Sequence, residues 1–199
     1  LSANTRQMTN DETSESRWDS RYRENPVLKD PSFFLCEQYK HFPPGGTVVD
    51  VAGGNGQNAI WLANHDFSTT LLDVSSVALN QAQEHAKEKK VAIECLQHDL
   101  EKQSMPKGRK WDGVFLQLFL DRELIRTIPE SLKTGGVFLF AHPTQTNLEK
   151  HEHPSERFLL EDGEIHTLVD QLQSMRIIHI DEAWRSSGRH EAWLIAQKI

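Results

Sequence analysis

The chain has 199 residues with 22 Lys and Arg against 29 Asp and Glu, a formal net charge of −7. That length suits one domain with a sizeable core, and the acidic balance argues against a nucleic-acid-binding protein, which needs clustered positive charge. No apolar run is long enough for a membrane-spanning helix, and two cysteines, Cys36 and Cys95, lack CxxC or metal-ligand spacing, so a cytoplasmic protein without a metal is expected.

In chain order, residues 1–16 are polar, lack a signal core and read as a flexible arm. A single domain is expected over 17–199, with 17–45 as a helical cap. In that cap Trp18 to Arg23 is predicted helical, stopped by Asn25-Pro26, and a second helix runs from Phe33 to Phe42 before Pro43-Pro44-Gly45-Gly46. The first strand is Thr47 to Val51. A Gly-rich turn leads into a helix over about Gln57 to Asn64. The second strand, Thr69 to Leu72, ends at Asp73. Ser75 and Ser76 can cap a helix with Ala78, Leu79, Ala82 and Ala86 spaced three and four apart. Its end, Lys87-Glu88-Lys89-Lys90, sets cations where the helix dipole favours them. Strands then follow at Val91 to Leu96, Trp111 to Leu116 and Val137 to Ala141. Asp121 can cap an intervening helix interrupted by Pro129. A last helix lies within Gly163 to Met175. The strands Ile177 to Ile180 and Ala192 to Ala196 close the chain as a hairpin around Arg185 to Arg189. Strands alternating with helices, then a hairpin, imply a mainly parallel sheet with helices on both faces.

The richest stretch is Asp50-Val51-Ala52-Gly53-Gly54-Asn55-Gly56. A β-branched strand, a glycine turn and a helix start form the opening of a nucleotide-binding βα unit, where glycine lets backbone approach a ligand and the helix end offers free N–H groups. Asp73 lies roughly twenty residues past the glycines, where such a unit places its ribose-binding carboxylate. His98-Asp99-Leu100 follows the third strand and Gln117 the fourth. Acids and polar residues at successive strand ends are what an adenosine requires.

These residues, with Leu132-Lys133-Thr134-Gly135-Gly136 before the fifth strand, resemble the class I S-adenosylmethionine (SAM)-dependent methyltransferases. The likeness runs from about Trp18 to the C-terminus. Trp18-Asp19-Ser20-Arg21-Tyr22 and Phe158 to Ile165 look most like the small bacterial tellurite-resistance and thiopurine-type group. Two positions depart from the pattern: Ala52 stands where the first loop glycine is usual, tolerable if that position needs a negative φ, and Thr134 replaces a usual Pro. The resemblance implies a Rossmann-like α/β fold, a seven-stranded mostly parallel sheet with an antiparallel last strand and helices on both faces.

It also implies roles. Asp50, Gly54 and Gly56 surround the methionine part of SAM, with Ala52 and Asn58 counted among the same cofactor-binding residues. Asp50 contacts the ammonium directly or through water; a structural carboxylate that holds the loop is the other account of it, and the two are compatible. Asp73 takes the ribose hydroxyls, Val74 flanks the adenine, Asp99 accepts from the adenine amine and Leu100 donates through its backbone. A turn cap is the alternative for Asp99. Gln117 faces the methyl donor or is a buried loop amide. Trp18, Arg21 and Tyr22 close over the cofactor, or cap the sheet edge without touching it. His142 and Gln117 are the weak catalytic candidates. His98 reads as an exposed turn residue, with a base beside Asp99 as the alternative, and His151-Glu152-His153 as a solvated loop rather than a metal site.

The expected function is methyl transfer to a small-molecule acceptor, such as a thiol or chalcogen species, by a monomer or homodimer, with S-adenosylhomocysteine (SAH) as product. Alignment and water exclusion carry such a reaction, and only an oxygen or amine acceptor requires a positioned base. Two alternatives stand beside it. A non-catalytic SAM-binding domain shares every cofactor residue. A nicotinamide-dependent oxidoreductase shares the loop and ribose acid but has no need of Asp99 or the closing hairpin.

Overall fold

The structure, a computed structural model, describes residues 13–199. Most of the expected N-terminal arm lies outside the described residues, but its last part does not. Helix α1 spans Ser14–Glu24, capped by the Thr13 side chain, which accepts from Ser16 N–H. Residues 14–16 therefore belong to the cap helix, because that hydroxyl satisfies a first-turn donor. Helix α2 (Phe33–Gln38) is capped by Ser32 and runs into a short 3-10 turn ending at His41.

The remaining elements are β1 (Thr47–Val51), α3 (Gln57–Ala63), β2 (Ser68–Asp73), α4 (Ser76–Glu88), β3 (Ile93–Gln97), β4 (Trp111–Gln117), α5 (Arg122–Thr127), β5 (Leu132–Pro143), α6 (Glu164–Asp170), β6 (Met175–Trp184) and β7 (His190–Lys198). The seven strands form one sheet in the order β3-β2-β1-β4-β5-β7-β6. β1 to β5 pair in parallel, and β7 runs antiparallel to both β5 and β6. The central strands are buried on both faces, as parallel strands with helices above and below must be.

The core lies in two layers. On one face Val49, Val51, Leu72, Val114, Leu116, Phe138 and Phe140 pack with Leu124 and Ile125 of α5 and Ile165 and Leu168 of α6. On the other, Val48, Phe115, Leu139 and Ile195 pack with Phe34 and Leu35 of α2. Alternate residues of each strand serve opposite layers, as the pleat requires.

β5 begins five residues earlier than its apolar run predicts. The Gly135-Gly136 turn lies inside the strand, Gly135 at φ 80, where the register with β4 shifts between Trp111 and Gly113. A Cβ on Gly136 would lie 2.9 Å from Lys133 O, so the pair bends the ladder without ending it. The closing strands are also longer than their apolar cores, because ladder pairing continues through polar residues such as Asp181 and Glu182.

Gly113 marks the tightest crossing of strand and cap. A Cβ there would fall 2.5 Å from the Phe42 ring, and Phe42 is itself buried. Gly113→Ala is expected to lower stability by about 1–3 kcal/mol through overpacking, measured by urea denaturation. An unchanged midpoint would show that Phe42 can move aside without cost.

Candidate cofactor cleft

The carboxyl ends of β1, β2, β3 and β4 open onto one cleft beneath α1. Its walls are Ala52 after β1, Asp73 and Val74 at the end of β2, His98, Asp99, Leu100 and Glu101 after β3, and Leu118 and Phe119 after β4. Ser14, Trp18 and Tyr22, each four residues apart on α1, form its roof. The chain order reverses between β1 and β4, which is where open α/β sheets bind ligands. Seven of the predicted residues meet here from distant parts of the chain: Asp73, Val74, Asp99, Leu100, Trp18 and Tyr22, with Ala52 at the floor.

Asp73 is 6% exposed. Its Oδ2 accepts from Gly54 N–H at 2.8 Å and its Oδ1 from Ser75 N–H at 2.9 Å. Burial pushes its pKa up, while the backbone N–H bonds pull against that rise. The carboxylate thus ties the glycine loop to the start of α4, and each oxygen keeps a further lone pair for a hydroxyl. Asp99 holds a turn as well as facing the cleft. It accepts from Glu101 N–H at 3.1 Å and pairs with Lys102 at 2.8 Å. The Lys102 ammonium holds its carboxyl below the usual range.

Several expected residues also make contacts within the protein. Asp50 is 1% exposed and lies under the loop, accepting from Ala59 N–H at 3.1 Å. Only a carboxylate-sized acceptor beneath the α3 N-terminus satisfies that N–H, so the loop-holding account of Asp50 is the one its contacts fit. Burial pushes its pKa up to about 8, and the nearby Asp73 charge adds to the rise. Asn58 is buried and its Oδ1 accepts from Ser32 N–H at 2.8 Å, pinning the start of α2. Gly54 has φ 60, and a Cβ on it would lie 2.1 Å from the Tyr22 hydroxyl. Gly56 has φ 88, and its Cβ would meet Ala82 of α4 at 2.8 Å. These glycines make room for the roof and for helix packing. Arg21 is exposed, 5.2 Å from the Trp18 ring centroid, and is not part of the cleft wall.

Ala52 has φ 54, so the position demands the left-handed region rather than a negative φ. The loop carries that strain because Gly53 N–H is held by Leu72 O at 3.1 Å.

Gln117 ends β4 half-buried, opposite Ala141. His142 ends up inside the protein at 4% exposure. Its Nε2 is 2.8 Å from Phe158 O. A carbonyl only accepts, so Nε2 carries the hydrogen and Nδ1, which has no partner, is a bare lone pair. Burial drives its pKa down to about 4. A base that weak, sealed beneath the 3-10 turn at Glu156–Phe158, is a poor proton acceptor at neutral pH.

Four cleft residues escaped sequence reasoning: Ser14, Glu101, Leu118 and Phe119. Leu118 is 50% exposed with φ 60. The signal that could have found it is an apolar pair directly after a strand end that already carries a candidate. His98 also lines the cleft rather than standing free, its Nε2 lying 2.8 Å from Ser104 O. His151 packs beside Trp184 with its Nε2 2.8 Å from Gly188 O.

Residues 48–136 match the methyltransferase-domain family. Sarcosine/dimethylglycine N-methyltransferase from Aphanothece halophytica is 26% identical over 120 residues, 57% of this chain and 43% of its own. The chain thus spans less than half the length of that curated relative. Among solved structures, TehB from Haemophilus influenzae superposes with TM-score 0.69 at 17% identity, covering 93% of this chain and 67% of its own. Magnesium protoporphyrin IX methyltransferase (ChlM) from Synechocystis PCC 6803, with bound SAH, gives 0.66 at 17% identity, covering 93% and 95%. The sheet order, the antiparallel β7 and these superpositions make this the Rossmann-like class I methyltransferase fold.

Two outcomes follow from the buried loop. The folded protein keeps Asp50 protonated from its ordinary 3.8 up to about 8, where the unfolded chain is ionised, so stability falls as pH rises through that window. Asp50→Asn is expected to flatten that decline in thermal melts from pH 4.5 to 8.5 (roughly the window between the two values); parallel curves would place the effect elsewhere. Ala52→Gly is expected to gain roughly 0.5–1 kcal/mol by relieving the left-handed alanine; a loss in chemical denaturation would mean the strain is not at this residue.

Proposed function

We propose, with the methyltransferase-domain match and the class I fold as premise, that this chain is a SAM-dependent methyltransferase acting on a small-molecule acceptor. The observation that carries the reading is the convergence of Asp73, Val74, Asp99 and Leu100 on one cleft at the switch point of this sheet order. Asp73 has lone pairs for two ribose hydroxyls. Val74 and Leu100 offer apolar faces to an adenine ring. Asp99 stands where a ring amine would be accepted. These donors and walls fit the adenosine of SAM, and the site lies beside Gln117 and Leu118, where an acceptor would approach. Insertion of β7 between β5 and β6 departs from the strand order of dinucleotide-binding domains and disfavours the nicotinamide reading.

The bound cofactor would supply an electrophilic methyl group on a positive sulfur. The chain's own contribution is to align and to exclude water. Ala52, Leu118 and Phe119 form an apolar floor, and Trp18 and Tyr22 cover it. Water kept out by these side chains cannot compete for the methyl group. Burial drives the Tyr22 phenol well above its ordinary pKa, and the Asp73 charge adds to this, so it remains a neutral hydroxyl. The imidazole nearest the end of β5, His142, stays unprotonated and weakly basic. That favours acceptors that arrive deprotonated or are soft by nature, thiolates and chalcogen anions among them, over alcohols that need a base.

Calorimetric titration tests the cofactor. SAM and SAH are expected to bind with roughly micromolar Kd, about −8 kcal/mol, and NAD not at all. Asp73→Asn should weaken both by about tenfold or more, through loss of a charged hydrogen-bond acceptor. Binding of NAD in place of SAM would overturn the reading. With the cofactor established, thiol, selenium and tellurium acceptors are compared with sarcosine as methyl acceptors; exclusive turnover of the amine would remove the soft-acceptor preference.

A further inference from the structure

Helix α1 is held by a buried charge. Its stripe of Ser14, Trp18 and Tyr22 faces the cleft, while Asp19 turns toward α4 and is 8% exposed. Asp19 Oδ1 accepts from the Ser75 hydroxyl at 2.6 Å and from Val77 N–H at 3.2 Å, and Oδ2 accepts from the Ser76 hydroxyl at 3.3 Å. These donors form the N-terminus of the 13-residue α4, whose dipole favours a carboxylate. Burial opposes the charge on Asp19, yet the Ser75 hydroxyl, Val77 N–H and Arg23 together keep its pKa below the usual value.

Ser75 is fully buried and serves three partners at once. Its N–H goes to Asp73, its oxygen accepts from Ala78 N–H at 3.0 Å, and its hydroxyl donates to Asp19. The roof helix and the ribose acid therefore share one residue. The other side-chain ties of α1 are weaker or wetter. Gln81 Nε2 reaches Tyr22 O at 3.0 Å, and Gln97 Nε2 reaches the exposed Glu15 at 2.7 Å.

The space left under the roof is about 70 Å³. Pockets that hold drug-sized ligands start near ~300 Å³, so a nucleoside does not fit beneath Trp18 and Tyr22 as they stand. The roof must lift for such a ligand to enter or leave. We propose that Asp19 is a positioning residue that latches α1 to the α4 N-terminus and so gates cofactor passage in both directions. The proposal rests on the cofactor reading above.

A gate closed before and after binding slows association and dissociation alike. A residue that merely supports the bound state slows dissociation alone. Stopped-flow measurement of SAH binding to the wild-type chain, Asp19→Asn and Asp19→Ala separates the two. In Asp19→Ala both rate constants are expected to rise roughly tenfold, with Kd shifting less than either. Asp19→Asn, which keeps shape and one acceptor oxygen, should fall between. Faster dissociation with unchanged or slower association overturns the gate, as does no change in either. Hydrogen exchange on the cofactor-free proteins reads the latch independently. Amides of α1 should exchange several-fold faster in Asp19→Ala while those of β1 and β4 hold. Unchanged α1 protection overturns the latch whatever binds, whereas faster α1 exchange in a wild-type background that ignores SAH faults the cofactor reading and leaves the latch standing.

Discussion

The Asp73 carboxylate is the joint on which the cleft depends. It is a buried carboxyl held by two backbone donors, one from the loop after β1 and one from the start of α4. Neither donor has another partner of that strength, and a buried carboxylate without them would be costly. The arrangement fixes Gly54 relative to Ser75, and with it the distance between the first and second strand ends. Through Ser75 the same joint reaches Asp19 and the roof helix. Loop, Asp73 carboxylate, helix cap and roof therefore form one connected set of polar contacts on an otherwise apolar sheet.

The glycine loop illustrates how one motif answers several demands. Its backbone is left-handed at Ala52, Gly54 and Gly56. Asp50 fills the space below, so close that a Cβ on Gly53 would lie 2.4 Å from its Oδ2. The Tyr22 hydroxyl fills the space above Gly54, and Ala82 the space beside Gly56. The protein's own packing by itself requires glycine here. A loop pressed from three sides has little freedom to reorganise, which suits a site whose role is to align its contents.

The proposed chemistry draws on the surroundings of His142 as much as on the cleft. His142 has an available lone pair, but burial removes its basicity and Phe158 covers it. On the proposed reading, alignment and exclusion of water would carry the reaction, and both would depend on the roof that α1 forms over the cleft.

Much of this was legible in the chain. Alternating apolar runs and caps such as Ser75 and Asp121 located the helices and central strands, because 2.0 and 3.6 periodicities and cap chemistry are local. The spacing of Asp73 and Asp99 along the βα units pointed to their meeting at one cleft, because that spacing is itself local geometry. Other features were decided only in three dimensions. The sequence could not reveal that Asp50 and Asn58 spend their oxygens on Ala59 and Ser32, that Ala52 is left-handed, or that His142 is sealed. Nor could it pair Asp19 with a helix end more than fifty positions away. Those outcomes turn on which donor lies opposite which acceptor once water is excluded, and that is a property of the packed sheet and its helices, absent from any single stretch of chain.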